Sequence, residues 1–248
     1  GRIQLTQGKE SQVEPAFIDE GERIAYLQGG NLWTMKCDGT DKKQLSQGED
    51  IEGYKFSPDG KQIVVIRQVA STTSIMPKEK DLPLATGLVI NDMNYRHWDQ
   101  YVQTIPHIFL ASVEKDGLGE MKDLLEGEPY ECPVLPFGGS EQFCWSPDGK
   151  QIAYTSRKKT GVDYATSTDT DIYIYNVETG QTTNVCKPEG YVEPKADALK
   201  SLEKQAKNLS GEDINAGYDQ DPQFSPDGTM LAWKSMERDG YESDRLRL

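Results

Sequence analysis

The sequence predicts an all-β protein built from repeated four-stranded antiparallel sheets, and a repeated phrase is the first reason. An aromatic residue, then SPDG, then an aliphatic run begins at Phe56, Trp145 and Phe224. Proline presets the backbone for the second position of a tight turn, and glycine supplies the left-handed geometry that closes it. Strand, tight turn and strand form a β-hairpin, so the same hairpin is predicted three times.

A fourth, degenerate copy of the hairpin lies upstream. In AFIDEGERIAYL, Phe17, Gly21 and Ile24 align with the aromatic, glycine and first aliphatic positions of the later copies. The four copies begin at residues 17, 56, 145 and 224, at spacings of 39, 89 and 79. A four-stranded propeller blade takes about 40–45 residues. The first spacing therefore fits one unit, and the longer two predict one unit with an insertion each.

The segments after each hairpin supply a third and a fourth strand. NLWTMKC and KKQL follow the first hairpin, and DIYIYNV and QTTNVC follow the third. In the second unit HIFLASV and EMKDLL come late, which predicts an insertion at 71–106, between the second and third strands. The third unit's insertion, 187–217, follows its fourth strand. Helical spacing of Leu199, Leu202, Ala206 and Leu209 predicts a short amphipathic helix there.

Sheets that are apolar on both faces bury them by stacking radially, which predicts a partial β-propeller. The chain is expected to form one domain, 1–248, with three complete blades and a cut one, at 13–51, 52–140, 141–219 and 220–248. Propellers need roughly 4–8 blades to close. A fragment of a larger protein is therefore expected, and its open blade faces favour self-association.

The composition limits the classes of partner and cofactor that the protein is expected to bind. The net charge of −14 argues against nucleic acid and anionic membranes, and no apolar run has the length of a membrane span. With two histidines and no C-x-x-C pair, neither a metal site nor a cofactor is expected. Cys144 is expected to be a buried thiol, and the disulfide state is left open for the four cysteines, Cys37, Cys132, Cys144 and Cys186.

No catalytic motif is found in the sequence. A G-x-S-x-G nucleophile elbow and a glycine-rich phosphate loop are both absent. His97 and His107 are the only imidazoles, and His107, beside Pro106 at the start of a predicted strand, is expected to have a packing or surface role. Whether the whole protein is an enzyme therefore depends on chemistry outside these residues.

The order of motifs resembles the N-terminal propeller of the prolyl oligopeptidase family of serine peptidases, in its dipeptidyl and acylaminoacyl peptidase branch. The stretches that carry the resemblance are DLPLATGLVINDMNYRHWDQYV, PFGGSEQFCWSPDGKQIAYTS, ATSTDTDIYIYNVETG and PQFSPDGTMLAWKSMERDGYESDRLRL. The resemblance implies a non-catalytic propeller that controls substrate access to a separate α/β-hydrolase domain, absent from this chain, which would carry the catalytic triad. It also implies a peptide substrate. The location is left open, with a periplasmic or secreted one slightly favoured over a cytoplasmic one.

The resemblance also implies candidate binding residues. An exopeptidase must recognise a protonated amine, so Glu237 and Glu242 are candidates for that contact, with Arg238 and Arg245 as ion-pair partners or carbonyl anchors. The alternative is a structural charge network on a loop. The YRHWD run is a candidate for an interdomain or cavity-rim contact, or for simple packing, and comprises Tyr95, Arg96, His97, Trp98 and Asp99.

Two other classes of function stay open at this point. Stand-alone periplasmic propellers, such as that of the Tol system, share SPDG repeats and bind other proteins. They are not expected to carry YRHWD or ERDGYESDR. A propeller enzyme that binds glycans or sugar acids would need clusters of histidine and arginine with metal ligands at the channel, and two histidines are too few.

Overall fold

A computed structural model describes residues 3–71, 102–187 and 216–248. These residues form fifteen strands, one short α-helix, α1 (Gly161–Thr166), and two single-turn 3-10 helices, Asp19–Gly21 and Ser140–Gln142. The strands are β1 (Gln12–Ile18), β2 (Arg23–Gln28), β3 (Asn31–Lys36), β4 (Lys43–Gln44), β5 (Gly53–Phe56), β6 (Gln62–Ala70), β7 (Thr104–Glu114), β8 (Gly117–Leu118), β9 (Lys122–Asp123), β10 (Phe143–Trp145), β11 (Gln151–Ser156), β12 (Asp171–Asn176), β13 (Thr182–Asn184), β14 (Asp219–Phe224) and β15 (Leu231–Ser235).

The strands form four antiparallel sheets in chain order, as the repeats predicted. The first sheet is β1-β2-β3-β4 and the third is β10-β11-β12-β13. In the second sheet β5, β6 and β7 pair in sequence, and both β8 and β9 pair with β7. The fourth sheet holds β14 and β15, and an isolated antiparallel bridge pairs Ser235 with Arg247 in the position that a third strand takes in the other sheets. The described residues therefore form a partial β-propeller.

Three apolar clusters lie between consecutive sheets. In β6, Ile63 and Val65 belong to the cluster shared with the first sheet, whereas Val64 and Ile66 belong to the cluster shared with the third. Adjacent residues of a strand point to opposite faces, so this strand is buried on both sides. Cys144 and Phe224 lie in the third cluster, between the third and fourth sheets. The continuous aliphatic run after the turn is thus explained by radial stacking.

The SPDG turn is held by its own serine and aspartate. Asp148 Oδ1 accepts hydrogen bonds from Ser146 Oγ at 2.6 Å and from the Lys150 amide at 3.1 Å. The Gln151 amide donates to Ser146 Oγ at 2.9 Å. Gly149 has a φ of 70°, a conformation that costs other residues about 1–2 kcal/mol. The same bonds recur in the turns at Ser57 and Ser225.

The turns of successive sheets also touch one another. A methyl group built on Gly149 would lie 3.8 Å from Pro58 Cδ, in the preceding turn. One built on Gly228 would lie 3.5 Å from Pro147 Cδ. Each glycine thus packs beside the proline of the turn before it. The phrase is repeated because each copy contacts the next.

Three further predictions concern a helix, the cysteines and membrane-spanning segments. The predicted helix at Leu199, Leu202, Ala206 and Leu209 lies outside the described residues, and α1 was not anticipated. All four cysteines are described, none forms a disulfide, and Cys144 is buried as predicted. Within the described ranges, no helix combines the length and apolar character needed to cross a bilayer.

Candidate functional site: the rim of long connections

The long connections of the molecule leave the sheets at one end. In each sheet the second strand is antiparallel to the first, so it ends where the first strand begins, as Gly53 with Ile66 and Asp219 with Ser235 show. The connection from the second to the third strand therefore starts at that end. It is a two-glycine turn in the first sheet and a longer segment in the other three, at 71–103, 157–170 and 236–246. We call this end the rim.

A cavity of about 330 Å³ lies at the rim, between the third and fourth sheets. Its walls combine an apolar segment, Val134–Gly138, with Thr170, Tyr218 and Glu242. The Tyr218 hydroxyl donates a hydrogen bond to Glu242 Oε1 at 3.4 Å. Burial raises the pKa of Tyr218, which keeps its hydroxyl a donor at neutral pH. The cavity therefore presents a carboxylate above an otherwise mostly neutral wall.

The four predicted binding residues lie on the 236–246 connection but have different surroundings. Glu237 forms an exposed ion pair with Arg247 at 2.9 Å. Arg238 is paired with Asp244, Nε donating to Oδ2 at 2.9 Å, and its guanidinium lies 4.1 Å from the ring centre of Tyr241. Arg245 is exposed. Of the two glutamates, Glu242 alone lines the cavity.

The connection is anchored by a residue to which the sequence assigned no role. Asp239 is buried, and its Oδ1 accepts hydrogen bonds from Ser167 Oγ and from the Thr168 amide, both at 2.7 Å. The Gly240 amide donates in return to Thr168 Oγ1 at 2.9 Å. These three bonds join the connection of the fourth sheet to that of the third. They fix the base of the loop that carries Glu242.

A buried ionic cluster lies beneath the anchor. Asp169 accepts hydrogen bonds from Lys159 at 2.7 Å and from Lys187 at 2.9 Å. Lys187 also lies 3.3 Å from Asp171 Oδ1. Burial, and then the charge of Asp169, raise the pKa of Asp171 to about 6. Sequence spacing could not reveal this cluster because Lys159 and Lys187 are 28 residues apart.

A second cavity, of about 640 Å³, lies at the opposite end. It is lined by the turn of the first sheet, Ile18–Gly21, by the SPDG turn at Ser57–Gly60, and by Trp145. Most of these residues form the turns, and none was a predicted binding residue. The rim is therefore the better candidate for a functional surface.

Of the YRHWD run and the two histidines, only His107 lies in the described part of the chain. Tyr95, Arg96, His97, Trp98 and Asp99 lie outside the described residues. His107 is buried, as expected for packing, and its Nδ1 lies 2.9 Å from Asp123 Oδ2. Within the described residues, His107 Nε2 has no hydrogen-bond partner, so no serine hydroxyl is bonded to that nitrogen.

The chain is similar over its whole length to two curated peptidases. It is 45% identical over 256 residues to dipeptidyl-peptidase 5 of Porphyromonas gingivalis, and 42% identical over 253 residues to that of Porphyromonas endodontalis. Both alignments cover 100% of this chain and 33% of the relative. The chain thus spans about a third of the length of these relatives. No family model matches it.

Solved structures give weaker likenesses. A candidate TolB from Agrobacterium tumefaciens has a TM-score of 0.49 and 16% identity, covering 93% of this chain and 56% of that one. Dipeptidyl peptidase 4 of Porphyromonas gingivalis has a TM-score of 0.48 and 11% identity, covering 94% and 30%. These values carry no argument about function. The comparison with the curated peptidases is stronger, and it confirms the predicted resemblance. The chain is homologous, over its whole length, to one third of the dipeptidyl-peptidase 5 proteins.

Proposed function

We propose that this chain is the propeller portion of a longer serine dipeptidyl peptidase, where it restricts access to the active site and helps to recognise the peptide's amino end. The similarity to dipeptidyl-peptidase 5 over the whole chain carries the proposal. In the prolyl oligopeptidase family, which the sequence resembles, a separate α/β-hydrolase domain would supply the nucleophile and base. The chain's own task is then selection and not bond cleavage.

Glu242 is the residue we propose for contact with the substrate ammonium. It lies on the rim, lines the cavity of about 330 Å³, and is oriented by the Tyr218 hydroxyl. Glu242 is exposed in this chain, so its contact with an ammonium reaches the roughly 1.5–3 kcal/mol of a charge-assisted hydrogen bond when the bound substrate excludes water from it. Glu237 is a weaker candidate because it does not line this cavity and forms a solvent-exposed ion pair with Arg247.

The experiment is Glu242→Gln in the longer polypeptide, assayed on dipeptide substrates with a free or an acylated amino end. At about 1.4 kcal/mol per decade, loss of the contact lowers kcat/KM by about 10- to 150-fold for the free amine. The acylated substrate never makes the contact, so its kcat/KM should change little. Glu237→Gln is the matched control on the same loop and should affect neither substrate.

Equal losses on both substrates would show that the loop has only a structural role. A polypeptide that binds other proteins and cleaves neither substrate would instead favour the Tol-like alternative.

A further inference from the structure

Three potential metal ligands converge below the rim, where the third and fourth sheets meet. They are Asp171 at the start of β12, Cys186 just after β13, and Asp219 at the start of β14. One donor atom from each lies within 4.8 Å of the other two, and all three residues are buried. Their separations of 15 and 33 residues match no short zinc motif, so the sequence did not predict this site.

In each of the two carboxylates, one oxygen accepts a hydrogen bond from a neighbouring side chain, and the other oxygen is left for a further ligand. Trp233 Nε1 donates to Asp219 Oδ1 at 3.0 Å. Asp219 Oδ2 is buried and makes no hydrogen bond of good geometry in the described part of the chain, and the Cys186 thiol and the Ser235 hydroxyl lie beside this carboxylate. Asn184 Nδ2 donates to Asp171 Oδ2 at 2.9 Å, leaving Oδ1 for ionic contacts. Outer hydrogen bonds that orient a ligand while its second oxygen points inward are characteristic of metal sites.

The thiol is oriented in the same way. The Ile172 amide donates to Cys186 Sγ at 3.2 Å, which fixes the sulfur beside the start of β12. Ile172 directly follows Asp171, so one strand positions two of the three donors. A sulfur with two carboxylate oxygens is a donor set that suits zinc better than magnesium or calcium, which prefer oxygen alone.

A lysine ammonium already lies beside these donors, and it keeps another partner if a cation binds. In the described residues the cluster contains three buried carboxylates, those of Asp169, Asp171 and Asp219, against the ammonium groups of Lys159 and Lys187. Lys187 is 3.3 Å from Asp171 but 2.9 Å from Asp169, so it keeps a partner if Asp171 turns to a metal.

We propose that Asp171, Cys186 and Asp219 bind one zinc ion, which ties the third sheet to the fourth. Zinc bonds of about 2.0–2.3 Å place tetrahedral ligands roughly 3.3–3.8 Å apart. The donor atoms, all within 4.8 Å, need to move by no more than about 1.5 Å. Water would complete the tetrahedron. Because the ion bridges two sheets, it stabilises the folded state rather than taking part in catalysis.

The test uses the purified protein after chelation, titrated first with Co²⁺ as a spectroscopic probe and then with Zn²⁺. Wild type should take up one ion per chain, show a thiolate-to-cobalt charge-transfer band, and unfold at a higher temperature with Zn²⁺ than without. Mg²⁺ should produce none of these effects. The site variants are Cys186→Ala and Asp219→Asn. The matched control is Cys144→Ala, a buried thiol of the same apolar cluster that is not among the three donors.

Both site variants should lose the cobalt band or at least 10-fold in zinc affinity, while Cys144→Ala keeps both. Asp219→Asn retains an oxygen that accepts the Trp233 hydrogen bond, so this variant is expected to fold. It therefore tests the proposal even if Cys186→Ala does not fold. The proposal is overturned if wild type shows no thiolate band. It is equally overturned if zinc binds Asp219→Asn with wild-type affinity, which would indicate an adventitious surface ion.

Discussion

Removal of the Asp239 carboxylate should release the rim loop from the third sheet. Its Oδ1 accepts two hydrogen bonds, from Ser167 Oγ and the Thr168 amide, both at 2.7 Å. A hydrogen bond to a charged group contributes about 1.5–3 kcal/mol, and Asp239→Ala loses two of them. Burial raises the pKa of Asp239, so the alanine variant also recovers part of the cost of burying the charge. Two such bonds amount to about 3–6 kcal/mol, and the recovered cost of burial reduces the expected net loss of local stability to about 2–3 kcal/mol.

Hydrogen exchange measures this loss at individual amides. The amides of Thr168 and Gly240 should lose protection by about 30- to 150-fold in Asp239→Ala, since 1.4 kcal/mol is a factor of ten. Asp239→Asn keeps an oxygen acceptor and should lose less than about 10-fold. Amides in β6, in another sheet, should be unaffected in both variants.

Glu237→Ala is the matched control, because it removes a carboxylate two residues away whose ion pair with Arg247 is solvent-exposed. Such pairs contribute under about 1 kcal/mol, so protection of the same amides should change by less than about fivefold. If Asp239→Ala and Glu237→Ala gave the same exchange rates, Asp239 would not be an anchor, and the proposed orientation of Glu242 would lose its support.

Two further predictions concern the SPDG turns. Gly149→Ala should destabilise the protein by about 1–2 kcal/mol from backbone strain alone, because φ is 70° and the nearest side-chain atom to the new methyl is Pro58 Cδ at 3.8 Å. Urea unfolding should show the loss, and an unchanged midpoint would contradict it. Hydrogen bonds from the turn serines lower the pKa of Asp59, Asp148 and Asp227, the last to about 2. Their contribution to stability is therefore complete above an unfolded pKa of about 4 and is lost as the pH falls towards 2. Asp148→Asn should be less stable than wild type at pH 6, and the gap should narrow below pH 4; a gap that is constant with pH would be evidence against this role.

The fold could be predicted from the sequence because its information is local and repeated. The aromatic residue before each turn pairs with the aliphatic residue seven positions later in every hairpin, as Phe56 with Ile63 and Trp145 with Ile152. This pairing follows from turn chemistry within a few residues. The degenerate first copy has the same register, Phe17 with Ile24, although it lacks the SPDG letters. Strand order within each hairpin then follows because its two strands are joined by a short turn.

The candidate site could be predicted only in part, because its contacts join residues that are distant in sequence. The composition revealed the charge-rich loop. It did not reveal which charged side chain anchors the loop, which forms a surface ion pair and which lines the cavity. Asp239 is bonded to Ser167 and Thr168, about 70 residues earlier. The three candidate zinc ligands come from three segments as well. Neither arrangement has a signature in local spacing.

The fold was easier to predict than the candidate site because the two lie at opposite ends of the sheets, which differ in how far their sequences repeat. At one end each turn packs against the turn before it, Gly149 on Pro58 and Gly228 on Pro147, so a change in one copy disturbs its neighbour. At the rim the connections range from two glycines to a segment of more than thirty residues. Loops on a rigid scaffold tolerate such variation and carry binding groups. The repeated phrase therefore marks the end that maintains the architecture, and function should be sought at the end where the sequence does not repeat.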